Sequence, residues 1–355
     1  MSRFFSDKYR GLTPYVPGEQ PRDRKYIKLN TNESPFPPSP LAVKAAAEAA
    51  ERLQLYPDPT YAALHGAIAA YHGVGIDEVL LTNGSDEILN FAFMAFCDEK
   101  TPAVFPDITY GFYSVFAKLN GVPYRELPLA PDFSVTVADY LGVGATIFLA
   151  NPNAPTGLSL PLCEIEKILQ ANPDSVVVVD EAYVDFGGES ALPLVKKYDN
   201  LLVTRTFSKS RSMAGARLGY GVGSPALIAD LNTVKYATNP YNVNSMSAAA
   251  GLGVMADEEY TEKNCKAVME NRAFAAAELK KLGFALTDSK GNFLFAKHSS
   301  LGGEKIYLAL KARGILVRHF KKDPIADYNR ITVGTRAEME ALVATLADII
   351  KEKQV

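Results

Sequence analysis

Between Val79 and about Gly223 the chain alternates short, wholly apolar runs with segments of helical periodicity, and this alternation restricts the fold more than any other feature. The runs Val79–Leu81, Pro102–Phe105, Ala145–Leu149, Val176–Val179 and Leu201–Thr204 have the length and composition of strands. Ser85–Cys97, Thr109–Leu119, Pro161–Gln170 and a stretch around Ala191–Lys197 read as helices between them. A strand that is apolar at every position must be covered on both faces, and helical crossovers provide that cover. The expectation is an α/β chain whose large domain, residues 41–260, holds a mostly parallel sheet sandwiched by helices.

The flanks differ in character. Residues 1–40 are rich in proline and aromatics with little periodicity, and read as an N-terminal arm that joins a smaller domain. Helices are predicted at Leu41–Leu53, after Pro40, and at Tyr61–Tyr71. Further on, Ser247–Leu252 reads as helical, and a long amphipathic helix over Glu258–Leu282 leads into the second domain. Residues 261–355 form that smaller, α+β domain: strands at Phe293–Ala296, Ile315–Arg318 and Arg330–Val333, and helices at Gly303–Arg313 and from Ala337. No internal repeat or low-complexity tract is visible.

Bulk properties exclude several function classes. With a net charge of −3, the chain lacks the basic surface of a nucleic-acid or membrane-surface binder. No run approaches the roughly 18 apolar residues of a membrane span, and Met1–Lys8 has no apolar signal region. The three cysteines are far apart and odd in number, which predicts no disulfide framework and suits a reducing cytosol. The four histidines form no metal-ligand pattern, so no metal is expected.

In an open parallel sheet, ligands bind beyond the carboxyl ends of the strands, so the polar residues there are the candidates for chemistry. Lys209 follows the run Leu201–Thr204, between Ser208 and Ser210. Most lysines are solvated, but one partly buried near a cation has a depressed pKa and becomes a nucleophile. Asp180 ends the run Val176–Val179, where a partly dehydrated carboxylate requires a cation. A protonated ring nitrogen or a structural arginine would serve equally. Arg217, in Ala214-Gly-Ala-Arg-Leu-Gly219, is either a surface residue or, given its glycines, part of a close backbone approach to a ligand. Asn83-Gly-Ser-Asp-Glu-Ile88 opens a helix whose free amides could hold a phosphate or simply be capped. A lysine, a carboxylate and an arginine at neighbouring strand ends are what pyridoxal phosphate needs.

Other residues are more ambiguous. Tyr110 could stack on a flat ring or pack in the core. Tyr56 lies in the turn Tyr56-Pro-Asp-Pro59, and Asn151-Pro-Asn-Ala-Pro-Thr-Gly157 is a rigid turn after a strand. Arg336 closes the segment Arg330-Ile-Thr-Val-Gly-Thr-Arg336. The helix dipole disfavours an arginine at a helix start unless an anion is near, which points to an anionic substrate.

The ordered set Tyr56-Pro-Asp-Pro59, Asn83-Gly-Ser-Asp-Glu87, Asp180-Glu-Ala-Tyr183, Ser208-Lys209 and Gly215-Ala-Arg-Leu-Gly219 resembles the fold-type I pyridoxal-phosphate aminotransferases. Within them it looks like the branch that acts on histidinol phosphate. The likeness runs from Leu12-Thr-Pro-Tyr15 and Leu29-Asn-Thr-Asn-Glu33 to Arg336, nearly the whole chain. It implies an aspartate aminotransferase-like fold, a homodimer with shared active sites, and transamination of histidinol phosphate with 2-oxoglutarate in histidine biosynthesis. By it, Lys209 would hold the cofactor covalently, Asp180 would pair with the pyridine nitrogen, and Tyr183 would hydrogen-bond the 3-oxygen. Gly84, Ser85, Asp86, Ser208 and Arg217 would hold the phosphate, with Tyr56 reaching in from a partner subunit, and Tyr110 would stack on the ring. Arg336 would bind the substrate's anionic end, helped by Arg318, Tyr15 and Asn32. The chain departs from the family in one place: Ala154 stands where an asparagine is usual. Either Asn153 turns in to replace it or Tyr183 acts alone, and Asn153 is the expectation. A broad aromatic or aliphatic aminotransferase, a decarboxylase of a phosphorylated amino acid, a non-catalytic cofactor-binding regulator and a nicotinamide-linked dehydrogenase are the alternatives.

Overall fold

The apolar runs become the centre of a seven-stranded sheet in the computed structural model, which describes residues 2–352. In chain order the elements begin with β1 (Ile27–Leu29), α1 (Pro40–Ala50), α2 (Ala62–His72), β2 (Val79–Thr82), α3 (Ser85–Phe96), β3 (Ala103–Pro106) and α4 (Phe112–Asn120). They continue with β4 (Tyr124–Leu127), β5 (Thr146–Ala150), α5 (Leu162–Ala171), β6 (Val177–Asp180), β7 (Leu201–Thr206), β8 (Gly219–Gly223), α6 (Pro225–Thr238) and α7 (Ser245–Met255). The last are α8 (Glu258–Lys281), β9 (Phe284–Leu286), β10 (Phe293–His298), α9 (Gly303–Ala312), β11 (Ile315–His319), β12 (Asn329–Thr332) and α10 (Arg336–Glu352).

The larger sheet has the order β2-β8-β7-β6-β5-β3-β4. Every neighbouring pair is parallel except the two made by β8. Alternate residues feed different cores, as a period of two requires. Val79, Leu81, Ile147, Leu149, Val177, Val179, Leu201 and Val203 enter one, and Leu80, Phe148, Val178 and Leu202 the other. The second sheet, β1-β11-β12-β10-β9, is antiparallel apart from the parallel pair β1–β11. It shares a separate core with α8, α9 and α10. Among the described residues no helix is long and apolar enough to cross a membrane.

Local chemistry sets the helix starts. Ser39 caps α1, its Oγ accepting from the Leu41 amide, with Pro40 in the first turn. Ser224 with Pro225 repeats this at α6, and Asn244 caps α7. At α10 Thr335 and Glu338 form a reciprocal capping box: the Thr335 amide donates to Glu338 Oε2 at 2.7 Å, and the Glu338 amide to Thr335 Oγ1 at 3.3 Å.

Three expectations change. The helix predicted around Ala191–Lys197 is a single 3-10 turn over Leu192–Leu194, a stretch too short to sustain an α-helix on its own. The edge strand β4 carries Arg125 and Glu126 on a half-exposed ribbon and so shows no apolar run. The glycines of β8 hid a strand from propensity, and packing explains them. A Cβ on Gly221 would strike Ile88 Cδ1 at 2.1 Å, and one on Gly219 would meet the Ser85 nitrogen at 2.5 Å and the Gly84 carbonyl carbon at 2.6 Å. These glycines let α3 lie directly on the sheet, with its N-terminus at the strand ends.

Gly219→Ala is therefore expected to lower the free energy of unfolding by about 1–3 kcal/mol, the usual cost of forcing atoms into a packed site. Urea denaturation measures it; an unchanged midpoint would mean that the start of α3 shifts freely on β8.

Candidate active site

β6 and β7 run side by side with Asp180 opposite Thr204. Asp180 is the first polar residue after three buried valines, and it is only 4% exposed. Its carboxylate accepts from the Tyr113 hydroxyl at 3.1 Å and from Thr204 Oγ1 at 3.2 Å. Among the described residues it forms no ion pair. Burial raises its pKa to about 6, against the pull of those two hydrogen bonds. Lys209 follows β7, and its Nζ donates to the Thr31 carbonyl at 3.3 Å and lies 5.8 Å from the centre of the Tyr183 ring. Burial, and then the charge of Arg330, lower its pKa to about 8, while Glu33 and Asp86 oppose the shift.

These groups face one cavity of about 270 Å³, whose other end is built for an anion. There α3 begins at Ser85 with no side-chain cap, after Gly84 at φ +77°. Arg217 itself adopts φ +52°, and this turns its guanidinium back over the helix start. The φ of +77° at Gly84 favours glycine there, and a Cβ would also lie 2.7 Å from Arg217 Nη2. Nη1 donates to the Ala214 carbonyl at 3.1 Å and reaches Ser208 Oγ at 3.5 Å. An uncapped helix N-terminus, a guanidinium and a hydroxyl make a cradle for a phosphate. The Asp86 carboxylate also takes part: it lies 3.1 Å from Arg217 Nη2 and accepts from the Tyr110 hydroxyl at 2.6 Å. Tyr110 is thereby fixed along the cavity wall.

The set fits pyridoxal phosphate. It offers a buried amine for the aldehyde carbon, a buried carboxylate that lacks a cation, and an anion cradle at the far end. Tyr183 stands between them, its hydroxyl accepting from Asn32 Nδ2 at 3.1 Å. A larger cleft of about 630 Å³ behind the Asn151–Gly157 turn is lined by no lysine, arginine or histidine, so it offers nothing to either anion.

The inner cavity opens into an outer cleft of about 490 Å³, whose lining differs from the expected set of substrate residues. Arg336 does not line it. The capping box makes Arg336 the first residue of α10, where it is exposed with its guanidinium 4.1 Å from the centre of the Phe274 ring. Arg330, inside β12, lines the cleft instead. Its Nη2 donates to the Asn30 carbonyl at 3.1 Å, its Nε is buried without a partner, and burial lowers its pKa. Arg318 and Tyr15 also line the cleft, with Arg318 donating to the Val16 and Pro17 carbonyls and Tyr15 stacked on Phe112 at 4.3 Å.

Asn32 lines neither cavity; its amide is spent on Tyr183 and Thr332, so it acts behind the site. Asn153 is likewise turned away. Its Nδ2 donates to the Ile108 carbonyl and Thr156, its Oδ1 accepts from Thr109, and Ala154 faces the cavity in its place. Tyr56 is 81% exposed outside both cavities, stacked on Tyr241 at 4.6 Å.

Sequence reasoning missed Arg330, Tyr113, Thr31 and Glu33. Arg330 did leave a signal: it is an arginine inside a strand that is otherwise buried, where its charge needs an anion from the chain or from a ligand. Tyr113 and Thr31 left none, because they meet Asp180 and Lys209 only through the fold.

The sequence matches the aminotransferase class I and II family over residues 24–346. It is 47% identical to histidinol-phosphate aminotransferase of Brachyspira hyodysenteriae, covering 99% of this chain and all of that one. It is 51% identical to histidinol-phosphate aminotransferase 2 of Dechloromonas aromatica, over 98% and 99% of the two chains. The histidinol-phosphate aminotransferase of Sinorhizobium meliloti, solved in complex with pyridoxal-5′-phosphate, superimposes with a TM-score of 0.90 at 25% identity over 99% of each chain. The fold is that of a fold-type I enzyme, with the aspartate aminotransferase-like α/β architecture. The chain belongs to the class I and II aminotransferases, in the histidinol-phosphate aminotransferase family.

The buried carboxylate makes a prediction for the cofactor-free protein. Because the folded-state pKa of Asp180 is raised from 3.8 to about 6, the folded chain binds the extra proton between those values and loses stability as pH rises through that window. Asp180→Asn should therefore stabilise the cofactor-free protein at pH 7 by about 1–3 kcal/mol and near pH 4 hardly at all. Urea denaturation of both proteins at both pH values checks this. Equal stability at pH 7 would show that Asp180 is already compensated.

Proposed function

We propose that the chain catalyses the pyridoxal-phosphate-dependent transamination of histidinol phosphate with 2-oxoglutarate, giving imidazole acetol phosphate and glutamate. One observation carries this reading: a buried amine and a cation-free buried carboxylate share a cavity with an anion cradle at one end and arginines at the other. Two anion sites in line are what a phosphorylated cofactor and an anionic substrate require. The full-length relatives at 47% and 51% identity, both histidinol-phosphate aminotransferases by name, support the choice of substrate.

When bound, pyridoxal phosphate supplies a ring that withdraws electrons from the substrate's α-carbon. The chain's own residues bind, orient and move the proton. Asp180 would pair as a carboxylate with the protonated pyridine nitrogen and keep the ring cationic. Lys209 would hold the cofactor through its Nζ, and the same amine, when free, would take the proton from the substrate's α-carbon. A pKa depressed by burial keeps that amine available as a base near neutral pH. Tyr183, oriented by Asn32, hydrogen-bonds the ring's 3-oxygen without help from Asn153. Arg330, assisted by Arg318, forks the phosphate of one substrate and the carboxylate of the other.

The same reading includes a homodimer in the cytosol. Tyr56 lies exposed in a proline-bounded turn next to exposed Leu53 and Leu55, which supports assigning it to a neighbouring subunit's phosphate cradle. Three free cysteines suit a reducing compartment.

A panel of amino donors with 2-oxoglutarate tests the substrate, with histidinol phosphate expected to give the highest kcat/KM. Preference for an aromatic amino acid would make the enzyme a broad aminotransferase. In half-reactions Arg330→Lys should weaken both histidinol phosphate and 2-oxoglutarate by about 1.5–3 kcal/mol for the charged hydrogen bonds lost. Arg336→Ala should leave both unchanged; the opposite result would return the substrate fork to Arg336.

The shared site has its own test. Tyr56→Ala and Lys209→Ala should each be impaired, and mixing them should restore part of the activity through hybrid dimers. A fully active monomer by light scattering would rule out the arrangement.

A further inference from the structure

Two groups of the site, Asp180 and Lys209, are each followed by a residue anchored on the far side of the sheet. Side chains alternate across a strand, so while Asp180 faces the cavity with Thr204 bonded to it on the same side of the sheet, Glu181 and Arg205 face away. Arg205 is 8% exposed, and its guanidinium sits among carboxylates and a hydroxyl there. Its Nε lies 2.8 Å from Glu181 Oε2, Nη1 donates to Asp185 Oδ1 at 2.8 Å, and Nη2 donates to Ser190 Oγ at 3.0 Å. The other oxygen of Asp185 accepts from the hydroxyl of Ser210, the residue after Lys209. Glu181 is pinned again by the Ala191 amide and Ser190 Oγ. A continuous chain of polar contacts thus runs from the residue after Asp180, through one guanidinium, to the residue after Lys209.

None of Glu181, Asp185, Arg205 or Ser210 lines the cavity or the outer cleft. Stability alone is a weak reason for them, since well-packed apolar side chains commonly match or exceed a buried ion pair. What apolar packing cannot supply is direction: the planar guanidinium hydrogen-bonds Asp185 and Ser190 and pairs by charge with Glu181, and so ties two chain segments to one rigid group.

We propose that Arg205 is a positioning residue that sets the separation of Asp180 and Lys209, and with it the registry of the lysine amine over the cofactor ring. The inference rests on the functional reading above for the roles of those two groups.

Arg205→Lys and Ser210→Ala test it from the two ends of the network. The lysine keeps the charge without the fork; the alanine removes one hydroxyl and leaves both carboxylates paired with Arg205. In the holoenzyme both variants should keep the amino donor's KM and lose kcat by about tenfold or more, as small misplacements of reacting groups do. The pH midpoint of the visible absorbance of the cofactor on Lys209 should move by about half a unit or more, because that linkage senses its distance from Asp180. Cofactor-free Ser210→Ala should melt close to the wild type. Wild-type kcat and midpoint in Ser210→Ala overturn the inference, even if Arg205→Lys fails to fold. So does a loss of kcat that follows a loss of thermal stability while the midpoint stays fixed. A wild-type protein that takes up no cofactor on Lys209 overturns the functional reading instead, so the two failures are distinguishable.

Discussion

Because β5, β6 and β7 are covered by apolar side chains on both faces, charge can enter this sheet only where the strands end. The rest of the site follows from that constraint. Parallel strands end on the same edge, so Asp180, the Lys209 loop and the Asn151–Gly157 turn emerge together. The antiparallel β8 begins at that edge instead, and its glycines bring the uncapped start of α3 against it. Amine, carboxylate and anion cradle converge through strand direction, with no need for a dedicated local motif.

Adjacent carboxylates at the end of β6 show how differently one chain can treat buried charge. Glu181 is fully buried, but it is answered from within by Arg205 and by two hydrogen-bond donors. Asp180 has only neutral hydroxyls, and burial keeps its pKa high. Burial raises the pKa of both, but the first draws its counter-charge from the chain, and the second gains one only when a cation arrives. The cofactor-free protein is thus held away from its stability optimum at the residue on which the proposed chemistry depends, a usual trade at functional sites.

The arm is a working part of the site. Four consecutive residues touch it: the Asn30 carbonyl accepts from Arg330, the Thr31 carbonyl from Lys209, Asn32 donates to Tyr183, and Glu33 lines the inner cavity. Their placement relies on β1 docking along β11, with Leu29 opposite Val317, and on Thr332 holding the Asn32 amide at 2.9 Å. Asn32 adopts φ +54°, a left-handed turn that asparagine tolerates better than most residues. Segments from opposite ends of the chain therefore share the work of holding Lys209, Tyr183 and Arg330 in one geometry.

Much of this was legible in the residues. Wholly apolar runs have one stable environment, so the buried strands, the parallel sheet and the polar residues at its edge could be read directly, Lys209, Asp180 and Arg217 among them. Side-chain direction could not be read. Thr335 and Glu338 cap α10 and carry Arg336 out to solvent, while Arg330 faces the cleft from mid-strand. Asn153 is consumed by its own turn and by Ile108, and β8 looks like a loop until α3 is laid against it. The sequence by itself determined which strands are buried and which charges stand at their ends, because burial follows from composition and periodicity over a few residues. Only the tertiary structure decided which arginine, asparagine and tyrosine face the cavity. Those choices depend on contacts between segments far apart in the chain, and no local pattern encodes them.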